Sequence, residues 1–233
     1  MSQQVEALLT RLTQAVPGLA SMLSEHRQQF GHQAPRAFLR TAAFVTAAGY
    51  QSRDPDSAGQ FQELLDLLES EVGRDDETDA LIAGSFLANL PLGDDPRGSV
   101  DAILGPSLRS LLDRRPSITA SHRAIQRLVA AEPALIGELN EHLETYDELL
   151  PHVFMGELID RLTEWIGSGQ EPALARVRNV LSTLEDEYGK DFEVDELIAA
   201  SFLEDLPERG EPGSGILDLL GPKLGKELNR QRS

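Results

Sequence analysis

Apolar residues return every three or four positions through almost the whole chain. No stretch alternates apolar and polar residues in the period-two pattern of a half-buried strand. Amphipathic helices are the expectation throughout. In the second half the pattern predicts helices near 119–131, 133–147, 151–166, 171–188, 193–206 and 216–230. Pro133 and Pro151 fall where the first turn of a helix tolerates a residue without an N–H. Gly189 follows Tyr188 as a C-terminal stop, and Asp195 stands in the first turn of the next helix. The run PERGEPGSG at 207–215 reads as a loop, and Gly221-Pro222 kinks or restarts the last helix.

The same pattern is written twice. A shift of 116 residues aligns 61–114 with 177–230 without a gap and gives 23 identities in 54 positions. Among them are Gly73/Gly189, Asp75/Asp191, Pro91/Pro207, Pro96/Pro212 and Gly105-Pro106/Gly221-Pro222. The shift also pairs Arg11 with Arg127, Pro17 with Pro133, His26 with His142, Pro35 with Pro151 and Phe38 with Phe154. The expected fold is therefore all-α: two tandem homologous bundles of five or six helices, 1–116 and 117–233, each long enough to bury its own core.

The two copies differ selectively. LIAGSFLANLP at 81–91 and LIAASFLEDLP at 197–207 share the core face Ile82/Ile198, Phe86/Phe202 and Leu90/Leu206. They disagree along another stripe, where Ala80, Gly84 and Ala88 face Glu196, Ala200 and Glu204. The third helix shows a sharper contrast. In LLPHVFMGELIDRLTEWI, Phe154, Leu158, Leu162 and Trp165 make an apolar face, while Glu157, Asp160, Arg161 and Glu164 make a charged stripe. The first copy has Thr41, Phe44, Val45 and Ala48 in those places. A helix apolar all round is generally buried, so this face of the first copy is expected to be covered by the second copy or a second chain. An Ala80/Gly84/Ala88 stripe is expected to admit another helix at close range.

Charge strengthens the contrast. The net charge is −18, with residues 1–116 at −6 and residues 117–233 at −12. Such a chain repels nucleic acid and anionic membranes and attracts basic partners, so direct nucleic-acid or membrane binding is not expected. Cysteine is absent, which excludes disulfides, thiolate metal sites and a cysteine nucleophile. MSQQVEALLT has neither the basic segment nor the apolar core of a signal peptide, and a cytoplasmic location is expected.

Candidate chemistry is sparse. Glu138, Glu141 and Glu144 share a stripe near His142, but a bundle di-metal site needs Glu-x-x-His motifs and none occurs. That stripe reads as a solvated face, and no metal or cofactor is expected. Ser85 and Ser201 lie inside helices without a Gly-x-Ser-x-Gly turn, so they read as small contact residues and no catalytic residue is assigned. His26 and His142 read as core or capping histidines. His152 opens the charged third helix where the first copy has Arg36.

The segments ELLPHVFMGELIDRLTEWI and ELIAASFLEDLP resemble small bacterial helical domains of the polymorphic-toxin immunity-protein type. The resemblance covers about 148–207 and, in degraded form, 32–91. It implies a non-enzymatic cytoplasmic protein that neutralises a cognate toxin by binding and occluding it. The first copy departs from it at Arg36, Arg40, Thr41 and Ala88, which points to the second copy as the binding half. The expected partner-binding residues are His152, Glu157, Asp160, Glu164, Glu196 and Glu204, and the expected partner is a basic protein, a toxin domain. An adaptor for another basic protein, or a nucleic-acid mimic with carboxylates spaced like phosphates, remains as an alternative.

Overall fold

The computed structural model describes residues 3–92, 99–114 and 118–233. Pro96 and the expected 116/117 boundary lie outside them. All regular structure among the described residues is helical, in twelve α-helices joined by short 3₁₀ and π turns. The chain divides into two compact units, Met1–Ser117 and Ile118–Ser233.

In the first unit, α1 (Gln3–Ala15), α2 (Leu19–Phe30), α3 (Ala34–Gln51) and α4 (Pro55–Glu71) are followed by the short α5 (Asp76–Leu81) and α6 (Pro106–Ser110). Helix α3 packs against both α2 and α4, and α1 lies against α2, α4 and α5. Its core is centred on Phe38, Phe61, Phe86 and a layer of leucines. Phe30, Ala34 and Ala37 form a separate small cluster.

In the second unit, α7 (Ala120–Ala131), α8 (Ile136–Tyr146), α9 (Pro151–Ser168) and α10 (Glu171–Glu187) precede α11 (Phe192–Ile198) and α12 (Pro222–Gln231). Helix α10 packs on α7 and α9, and a π turn at Ala199–Leu203 packs on α9. Phe154, Leu158, Leu162, Ile198, Phe202 and Leu206 are buried, as their spacing predicts.

Local chemistry sets the helix limits. The Asp75 carboxylate accepts the Thr78 N–H at the start of α5, and the Asp191 carboxylate accepts those of Glu193 and Val194 at the start of α11. Just before each, Gly73 (φ 83°) and Gly189 (φ 91°) turn the chain through the left-handed region that glycine adopts without strain. Their N–H groups donate to Asp79 and Asp195, which hold the turns closed. The helix expected at 193–206 is shorter: α11 ends at Ile198 and widens into the π turn, where the Gln231 side chain donates to the Ala199 carbonyl.

Two faces of the first unit were expected to be covered by the second copy or a second chain. Thr41 and Phe44 on α3 are buried in the chain, and Val45 and Ala48 are exposed. Ala80 is exposed, and a β-carbon added at Gly84 would meet no atom within 4 Å. Of the three stripe residues, Ala88 alone is buried.

Candidate functional site: an acidic groove between α8 and α9

Helices α8 and α9 are joined by a short turn and lie side by side, so one stripe from each faces the same groove. The residues four and seven positions apart on α8 are Glu138, His142 and Thr145, with Glu141 beside them; on α9 they are Glu157, Asp160, Arg161 and Glu164. Together they line a shallow groove of about 340 Å³ containing five carboxylates and one guanidinium.

His142 anchors the groove from below. Its side chain is fully buried, and the edge of its ring meets Phe154. The Leu150 N–H donates to Nε2 at 3.0 Å, at the start of α9. A backbone N–H can only donate, so Nε2 carries no proton and Nδ1 does. Nδ1–H then donates to Glu157 Oε2 at 2.7 Å. The histidine in this tautomer is neutral, so Glu157 is fixed in direction while its negative charge still faces the groove. Arg161 is held by Glu138 and by Glu164, which offsets part of the acidity at the centre. Asp160 and Glu141 remain exposed on the rim.

Of the expected binding residues, Glu157, Asp160 and Glu164 are brought together here. His152, Glu196 and Glu204 do not line the groove. Glu196 and Glu204 are exposed, and His152, also exposed, bonds through Nδ1 to the Ser201 hydroxyl at 2.7 Å. That contact ties the first turn of α9 to the π turn, a bracing role that the spacing of 152 and 201 did not reveal. Glu138, Glu141, His142, Thr145 and Arg161 were not among the expected binding residues. The signal was present in the 138/141/142/145 spacing on α8, but only the groove shows that this stripe faces α9. Reading Glu138 as part of a solvated face was also wrong, because it is mostly buried against Arg161.

Among the described residues, no group of three or more His, Asp or Glu side chains could hold a metal ion. No helix is long and apolar enough to cross a membrane, again among the described residues.

Other carboxylates are spent on structure. The Glu193 pKa is lowered to about 2 by hydrogen bonds from Thr119 and Ser121, so this carboxylate closes the start of α7. Glu187 is buried and pairs with Arg127, tying α10 to α7.

Residues 125–233 are similar to a domain of unknown function, DUF7674. The match spans both helices of the groove. No curated protein and no solved structure matches the chain.

Proposed function

We propose that the chain is a tandem duplication whose second unit is a non-enzymatic binding module, an immunity protein that neutralises a basic toxin domain in the cytoplasm by occluding it. The observation that carries this is the groove itself. Five carboxylates line it, and the three from α9, Glu157, Asp160 and Glu164, stand where α3 carries Thr41, Phe44 and Ala48. Acidic side chains fixed by their own hydrogen bonds steer a basic partner and lose little freedom when it docks.

The duplication is supported by more than identities. Arg11–Glu71 and Arg127–Glu187 pair the first and fourth helices of each unit, 116 residues apart. Glu69 accepts the N–H groups of Ser107 and Leu108, and Glu185 accepts those of Lys223 and Leu224.

The test is charge reversal on the open rim. Asp160→Lys with Glu164→Lys spares Glu157, which also holds His142. A cytoplasmic extract is passed over the folded chain, and the captured basic partner is identified and its association rate measured against salt. The double variant should slow association about tenfold or more and flatten its salt dependence. Toxin neutralisation should fall with it. Unchanged association at low salt would move the interface off this groove.

A further inference from the structure

A second cavity in the same unit lies beneath α12. It is a slot of about 370 Å³ lined by Leu217, Leu220, Gly225, Leu228, Asn229 and the acidic Glu208. A β-carbon added at Gly225 would meet no atom within 4 Å, so the space over it is open.

The first unit carries an arginine at the corresponding position, exposed on its surface. Arg109 stands where the second unit has Gly225. Its Nη2 donates to the Asp101 carbonyl at 3.0 Å and the Ala102 carbonyl at 3.3 Å, whose counterparts are Leu217 and Asp218. Arg109 also lies near Glu69. Burial raises the Glu69 pKa, but the Leu108 and Ser107 hydrogen bonds and the Arg109 charge pull it below its ordinary value. Glu185, the counterpart of Glu69, makes the same backbone contacts with no arginine at position 225. The second unit thus has no guanidinium at this position; Lys223, in place of Ser107, gives its ammonium to the Glu185 and Tyr188 carbonyls instead.

We infer that the slot over Gly225 binds a guanidinium, and that its occupant is an arginine side chain of the basic partner. The stem lies along Leu220 and Leu228, and the planar head bonds to the carbonyls of Leu217 and Asp218 beside Glu185. A planar fork with several donors meets two carbonyls at once, which a lysine ammonium does less well. Two arginines flank the slot. Arg232 is occupied with the Leu206 carbonyl at 2.6 Å. Arg209 reaches Asp218 only at 3.7 Å, with both side chains exposed, and is readily displaced. This inference rests on the proposed duplication and on a basic partner, but its test needs neither the partner nor the groove.

The probe is Nα-acetyl-arginine methylamide, titrated into the ¹⁵N-labelled full chain with the acetyl-lysine methylamide as control. Saturable amide shifts are expected at Leu217, Gly225 and Asn229, with the lysine probe about fivefold weaker or more. Gly225→Arg, which places the first unit's arginine there, should abolish saturation, and Arg209→Gln should tighten binding about twofold. The arginine–lysine comparison on the unaltered chain stands even if Gly225→Arg fails to fold. The absence of saturable shifts, equal binding of the two probes, or shifts confined to the α8–α9 groove would each overturn the inference.

Discussion

A buried histidine sits between the second and third helices of both units, and the two differ in what that histidine faces. In the first unit, His26 donates from Nδ1 to the Met22 carbonyl of its own helix and accepts at Nε2 from the Thr41 hydroxyl. In the second, the His142 ring is turned, with Nδ1–H given to Glu157 and Nε2 taken by the start of α9. One histidine closes a polar gap in a core. The other uses the same location to hold a carboxylate at a groove. The two units therefore differ in the group opposite a core histidine that both contain, and not in the helices that hold it.

The largest effect should come from a feature the units share. Arg127 and Glu187 are both mostly buried, and among the described residues Arg127→Met would leave the Glu187 carboxylate with only Lys190, 3.6 Å away on the surface. Removing one member of a buried pair costs about 3–5 kcal/mol. Arg11→Met should cost less, because the Arg11 side chain is 36% exposed against 17% for Arg127 and water screens the charge that remains. Trp165 is the single tryptophan in the chain, so its fluorescence during urea unfolding reads the loss in the second unit, and amide exchange of α1 and α4 in urea reads the loss in the first. Equal losses from the two substitutions would mean that burial does not set the strength of the pair.

A smaller effect separates holding from charge in the groove. Glu157→Val leaves the buried His142 Nδ1–H without an acceptor and should cost about 1–3 kcal/mol. Glu157→Gln retains an acceptor of the same shape and should cost less than about 1 kcal/mol, while removing one negative charge from the groove. The same urea experiment reads both. If Val and Gln are equivalent, Glu157 does not hold His142, and the difference between the units is one of charge alone.

The sequence made the fold legible because each element is specified locally. Asp75, Asp191, Gly73 and Gly189 announce helix limits by chemistry that acts within a few residues, and the apolar spacing of Ile198, Phe202 and Leu206 names their core face outright. The groove was half legible. Glu157, Asp160 and Glu164 stand out because the first unit has no charge at the positions 116 residues earlier, but pairing them with Glu138 and His142 depends on how α8 turns into α9, and periodicity carries no such information. His152 and Ser201 lie 49 residues apart, and their contact exists only because the π turn packs on α9.

The smallest effect tests the first unit's histidine through pH. Burial lowers the His26 pKa from 6.5, against the Met22 carbonyl and Glu25, which favour the proton; Arg40 adds to the lowering. The folded state therefore binds a proton less readily than the unfolded chain. Above pH 6.5 both forms are neutral at this site and its contribution to stability is complete. As pH falls below 6.5 the unfolded chain takes up the proton first, and stability is lost until the folded-state pKa is passed. His26→Gln removes this dependence, so the stability of the first unit should fall less steeply between about pH 6.5 and pH 5 in the variant, even if its stability at pH 7 is lower. Urea unfolding followed by amide exchange of α2 and α3 gives the slope for that unit. Parallel slopes in the two proteins would show that His26 takes up protons equally in both states, and that the Thr41 hydroxyl and the surrounding core do not favour its neutral form.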